Sequence, residues 1–144
     1  MTNNKLASRS WFVLIVSILA ACSNLIAVYS QTAYEQATSI KAESLVLMNK
    51  ATEPYGQHAQ EVAALMLNVD KAYEYAKGRP RNEISTGQWA RMRDPNSNLL
   101  GGFLKRWQER GQLSPVFVKE AEAQIAKAFD QIIELESGKN KAHE

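Results

Sequence analysis

One cysteine, two histidines and no alternating run of β-branched residues set the first limits on this 144-residue chain. With Cys22 alone, no intramolecular disulfide can form, and haem attachment through paired cysteines is excluded. With His58 and the tail residue His143 as the only imidazoles, a carboxylate-bridged metal site of the helical-bundle kind lacks its second histidine. His58, three residues before Glu61, therefore reads as a half-buried, hydrogen-bonded histidine. The chain has no Gly-x-Ser-x-Gly elbow for a nucleophilic serine. Gly101-Gly102 lacks the Lys and Ser or Thr of a phosphate loop. The pairs Glu120 and Glu122, and Glu134 and Glu136, sit two apart on a helix and so do not face each other. They read as a solvated face. No catalytic residue, no cofactor and no metal ligand is expected, and the chain reads as a non-enzyme.

Acidic residues are also missing from one end. All 15 lie after Cys22, whereas Lys5 and Arg9 precede it, which leaves 15 basic residues in the remainder. The formal net charge of +2 thus belongs to the leader, and the rest is neutral. A neutral domain has no global pull on a polyanion, so nucleic acid is not an expected partner.

What is present at that end is a polar, basic stretch from Met1 to Ser10, followed by an uncharged apolar run from Trp11 to Ala21. That order is the one found in secretory signals. The residues that close the run, Leu19-Ala20-Ala21-Cys22, resemble the lipobox of bacterial prolipoproteins; the resemblance covers residues 1 to 22. It implies a diacylglycerol on the sulfur of Cys22, cleavage before Cys22 by lipoprotein signal peptidase, and acylation of the new amino group. Ser23 stands where enteric-type bacteria place Asp to retain a lipoprotein in the inner membrane, so the resemblance implies the outer membrane.

Two other readings of the leader stay open. Apolar character resumes at Leu25 to Val28, so Trp11 to Tyr29 makes a 19-residue span, just long enough for an uncleaved transmembrane anchor. An ordinary signal cut after Ala21 is the other. All three place residues 30 to 144 outside the cytoplasm, facing the periplasm in a Gram-negative cell.

Beyond the leader the expected organisation is a lipidated Cys22 with a tether over 22–30, a helical domain over 31–138 and a frayed tail over 139–144. Ala33, Ala37, Ile40, Ser44, Leu47 and Ala51 recur at spacings of four and three, which predicts a helix from about Gln31 to Lys50. Thr52 or Glu53 is its successor's candidate cap, with Pro54 in the first turn. His58, Val62, Leu65, Val69, Ala72 and Ala76 form the second stripe, which Gly78 ends as a left-handed cap ahead of Pro80. Ser85-Thr86-Gly87-Gln88 has capping-box spacing before a short helix around Trp89, stopped at Asp94-Pro95. Asn98 is the candidate cap of a further helix that bears Leu100, Phe103, Leu104 and Trp107 and ends at Gly111. Gly101 and Gly102 weaken that helix by about 1 kcal/mol each, which points to close packing against another helix. Ser114-Pro115 opens the last helix, whose stripe runs Val118, Ala121, Ile125, Ala128, Ile132, Leu135. The fold class is all-α: a small bundle built on an antiparallel hairpin plus a C-terminal helix, with the two short helices as a cap or arm.

One charge asymmetry bears on binding. From Lys71 to Arg110 there are nine basic residues and four acidic ones, with Trp89 and Trp107 among them. Arg79, Arg81, Trp89, Arg91, Arg93, Lys105 and Arg106 are the candidate contact residues for a protein partner or an anionic envelope component. The alternative is that both tryptophans fill the core and the charges are solvated. The expected exposure differs between them: Trp107 in the core, because it shares a face with Leu100, Phe103 and Leu104, and Trp89 partly exposed. The expected role is a lipid-anchored binding or scaffolding module of the envelope, or else an accessory or inhibitory subunit of an envelope enzyme, secretion or defence assembly.

Overall fold

The computed structural model describes residues 26–139, and these form five α-helices with no strand among them. Cys22, the signal and most of the tail lie outside the described residues.

Helix α1 (Gln31–Asn49) starts where Ser30 accepts a hydrogen bond from the Ala33 amide at 3.3 Å. It buries Ala33, Ala37, Ile40, Ser44, Leu47 and Met48, the expected stripe widened by one neighbour. A 3-10 turn, Lys50–Thr52, follows and buries Ala51. Helix α2 (Tyr55–Lys77) has Pro54 at its N-cap, so neither Thr52 nor Glu53 caps it. The Glu53 carboxylate is engaged elsewhere, 2.7 Å from the His58 ring. The six buried positions of α2 are those of the sequence stripe, His58 to Ala76. Periodicity succeeds here because a helix with one covered side must repeat its small and apolar residues every three to four positions.

Helix α3 (Glu83–Arg93) starts two residues before Ser85. The expected capping box is thus inside the helix, and Ser85 is buried rather than terminal. The turn before it also differs from expectation. Gly78 has an ordinary φ of −73°, and the left-handed residue is Arg81 at φ 56°. Helix α4 (Leu100–Arg110) takes its N-cap from Leu99, whose amide bonds to the Ser97 hydroxyl at 3.1 Å, so Asn98 does not cap it. Gly111, at φ 74°, ends it in the left-handed region that favours glycine. Helix α5 (Pro115–Gly138) begins as expected, with the Ser114 hydroxyl accepting from the Phe117 amide.

Helix α1 packs along both α2 and α5; α3 packs along α2 and α5, and α4 packs on α2 and α3. Cross-helix bonds give the directions. Lys41 pairs with Asp130, and Asn49 with Glu122, so α5 runs against α1. Lys50, just after α1, pairs with Glu61, and Asn68 meets Glu43, so α2 runs against α1. Arg93 pairs with Asp70, while Trp107 of α4 lies against Tyr55 and His58 at the start of α2. Helices α3 and α4 thus follow each other down α2 as one interrupted column. The bundle is an up-and-down arrangement of four columns, and the two short helices form its third side rather than a cap or an arm.

The interruption explains the paired glycines. A Cβ on Gly101 would stand 2.5 Å from the Arg93 carbonyl oxygen, and one on Gly102 would collide with the Ser97 carbonyl. Close packing is real at this point: Gly101 lies against Arg93, the last residue of α3, and Gly102 against the backbone of the α3–α4 connection.

Candidate functional site

The seven residues expected to form one contact surface are divided by the structure. Trp89 is 3% exposed and meets Phe129 edge-on at 6.1 Å, so it is a core residue and not a contact residue. Its position follows from α3 being a full wall of the bundle, where the residue four after Ser85 faces the same interior. Trp107 is fully buried, as expected, and its indole N–H donates to the Glu53 carbonyl at 3.0 Å.

Arg79 and Arg81 lie in the α2–α3 turn, at the pole where the described chain enters. Arg79 is mostly buried, bonds Glu136 at 3.3 Å, and donates to the Val28 carbonyl. The Ala27 amide donates to the Arg81 carbonyl at 2.9 Å, and Ser30 and Tyr75 share a hydroxyl hydrogen bond of 2.8 Å. Residues 26–30, expected as the end of a tether, are therefore clamped to this turn, with Ala27 buried.

Behind the clamp is a polar network whose members stand far apart in the sequence. Lys139 Nζ is 2.7 Å from Glu136 Oε1, 2.6 Å from Asn82 Oδ1 and 2.9 Å from Ser85 Oγ, and the serine donates to Glu136 at 2.6 Å. Lys139 and Glu136 are 2% and 1% exposed. Lys139 is thus locked rather than frayed, and Glu136 is the innermost residue of its turn rather than part of a solvated face. Burial holds the Lys139 ammonium below its ordinary value, against the pull of Glu136. Asn82, Ser85, Glu136 and Lys139 are all buried, so the network ties the start of α3 to the end of α5.

His58 is buried as a satisfied residue. Its Nδ1 is 3.0 Å from Glu61 Oε1 and its Nε2 2.7 Å from Glu53 Oε2, so both nitrogens act as donors when the ring is charged. The hydrogen bond to Glu61, then that to Glu53, raises its pKa above the ordinary value. No group of three His, Cys, Asp or Glu able to hold a metal stands among the described residues.

The remaining cations divide by partner. Arg93 is bound to Asp70 at 2.9 Å and lies over the Tyr73 ring at 4.6 Å, and Lys105 donates to Asn96 at 3.2 Å. Arg91 and Arg106 instead line two adjoining cavities along α5, of about 210 and 190 Å³, and Gln124 lines both. Lys127 of α5 joins Arg91 in the first cavity. Lys127 lies outside the contiguous basic segment from Lys71 to Arg110, because the opposite wall of the cavity belongs to α5. A weak signal was there: Gln124, Lys127 and Gln131 are spaced by three and four, a polar stripe beside the apolar one.

Comparison of the chain with protein-family models, with curated proteins and with solved structures finds no match.

Proposed function

We propose that this protein is a lipid-anchored component of a bacterial cell envelope, tethered through Cys22, whose helical domain binds or scaffolds another envelope component without catalysing a reaction. The observation that carries the reading is the run Leu19-Ala20-Ala21-Cys22 at the end of an uncharged apolar stretch behind Lys5 and Arg9. Among the described residues no helix is long and apolar enough to cross a membrane.

The geometry of the pole supports the same reading. Ile26 is four residues after Cys22, so a lipid on that cysteine would hold the α2–α3 turn close to the bilayer. The opposite end and the sides of the bundle would then face the compartment beyond. Of the expected contact residues, Arg91 and Arg106 are exposed and line cavities on one side of the bundle. Ser23 after the lipid-bearing cysteine favours the outer membrane in an enteric-type cell.

The test is processing. In a Gram-negative host the chain is expected to incorporate labelled palmitate and to accumulate as a precursor when lipoprotein signal peptidase is inhibited. Cys22→Ser is expected to abolish both effects. A labelled-negative, full-length band would instead support the uncleaved transmembrane anchor.

A further inference from the structure

The seam between α4 and α5 differs from the other seams of the bundle. Lys41–Asp130 bridges α1 and α5, Asn68–Glu43 bridges α1 and α2, and Arg93–Asp70 bridges α2 and α3. Between α4 and α5 the contacts are aromatic: Phe103 stacks on Phe117 at 6.1 Å, and Arg106 covers Phe117 at 4.8 Å. The two cavities lie along this seam and the adjoining α3–α5 wall. Met92, Leu99, Phe103, Ala128 and Ile132 give them an apolar lining.

We propose that this seam is a docking groove for an acidic, amphipathic peptide segment of a partner protein. The inference rests on the reading of the chain as a binding module and names the chemistry of what it binds. Three observations carry it. The first is charge: Arg91, Lys127 and Arg106 line the cavities against one acid, Glu120, and among the described residues no ion pair engages Arg91 or Lys127. Cations that line an open apolar groove without a partner favour anionic groups at its rim. The second is length. Phe117 and Gln131 mark the span on a single helix, about 21 Å of axis, which matches four turns of a bound helix or some six extended residues.

The third is the kind of polar group. Gln88, Gln124 and Gln131 line the first cavity, and the Gln88 amide oxygen is buried without a hydrogen-bond partner. Primary amides offer a donor and an acceptor together, which suits peptide groups and not hydrocarbon chains. An amphipathic segment places its apolar side on the lining, its carboxylates against Arg91, Lys127 and Arg106, and its polar groups within reach of the glutamines.

The experiment pans a displayed library of random fourteen-residue peptides against the full chain in non-ionic detergent. Selected sequences are expected to be rich in Asp and Glu, with apolar residues three and four apart, and to bind more weakly as salt rises. Arg91→Ser with Lys127→Ser is expected to weaken them about tenfold, the scale of one or two lost charge-assisted contacts. Gln124→Glu should weaken and Gln124→Lys strengthen the same peptides; all three positions are exposed, so an unchanged melting temperature separates binding from folding. Absence of acidic enrichment, or equal binding by the variants, overturns the proposal. Capture of the Cys22→Ser chain by phosphatidylglycerol vesicles, lost in the Arg91 and Lys127 variant while no peptide is selected, overturns it in favour of an anionic lipid surface. The anchor fails separately, by missing palmitate label with peptide binding intact.

Discussion

Lys139 Nζ and Glu136 Oε1 lie 2.7 Å apart, both side chains almost wholly buried, one residue beyond the last turn of α5 and inside it. The carboxylate also receives Ser85 and Arg79, so one acid on α5 gathers groups from α3 and from the turn that holds the entering chain. Removing one member of such a pair strands the other in a low-dielectric site. Glu136→Ala is expected to cost about 3 to 5 kcal/mol, because Lys139 is left without its counter-charge. Joint replacement by Glu136→Leu and Lys139→Met is expected to cost less than the sum of the single changes. Urea unfolding of the four proteins of this cycle measures the difference.

His58 supplies a pH dependence whose sign follows from its partners. The ring is held in its charged form, chiefly by the Glu61 hydrogen bond, so its stabilising contribution is complete below its ordinary value of 6.5 and is lost as pH rises through the raised folded value. Glu61 is held ionised, first by Lys50 and then by His58, so its contribution is present above its ordinary 4.5 and is lost as pH falls through the lowered folded value. The two contributions overlap between those ordinary values. Thermal melts of the wild type and of His58→Gln should differ most between pH 4.5 and 6.5 and draw together as pH rises through the raised folded value; a difference that widens with rising pH would contradict the assignment.

Both tryptophans are structural. Trp89→Ala and Trp107→Ala are each expected to lower stability by about 3 to 5 kcal/mol, the range for a buried aromatic cut to alanine. Trp107→Ala also strips a donor from the Glu53 carbonyl and a neighbour from His58. Chemical denaturation of each variant reads the cost, and a loss under about 1 kcal/mol at Trp89 would mean that its side chain is exposed after all.

Two helical glycines should respond in opposite directions. A Cβ on Gly87 of α3 meets nothing within 4 Å, so Gly87→Ala is expected to add up to about 1 kcal/mol through helix propensity. Gly102→Ala drives a methyl into the Ser97 carbonyl and is expected to cost at least 1 to 3 kcal/mol. Melting temperatures of the two variants decide it.

The two long stripes, from Ala33 to Ala51 and from His58 to Ala76, were readable because one covered side forces a repeat on a continuous helix. The last helix was readable at Val118, Ile125 and Ile132, but Ala121, Ala128 and Leu135 of the expected stripe are only half-buried while Phe129 is buried; after Ile132 the innermost residue is Glu136, and a carboxylate does not register as core unless its partners are known. Those partners, Ser85, Arg79 and Lys139, come from positions far apart in the chain or beyond Gly138, where a helix reading stops. The third column was hidden for another reason. Asp94-Pro95 and the two glycines divide it into short pieces, and only their shared packing on α2 shows that they form one wall. The basic stretch was visible as composition, but composition does not say that Arg93 faces Asp70 while Arg91 faces an open seam.

The central claim is the anchor at Cys22, and the intact mass of the membrane-extracted protein tests it most directly. The account predicts a chain that begins at Cys22 and carries the added mass of a diacylglyceryl group and an amide-linked acyl chain, with fragmentation placing both on that residue. An unmodified chain that still begins at Met1, or a cleaved chain with a free Cys22 thiol, would contradict it.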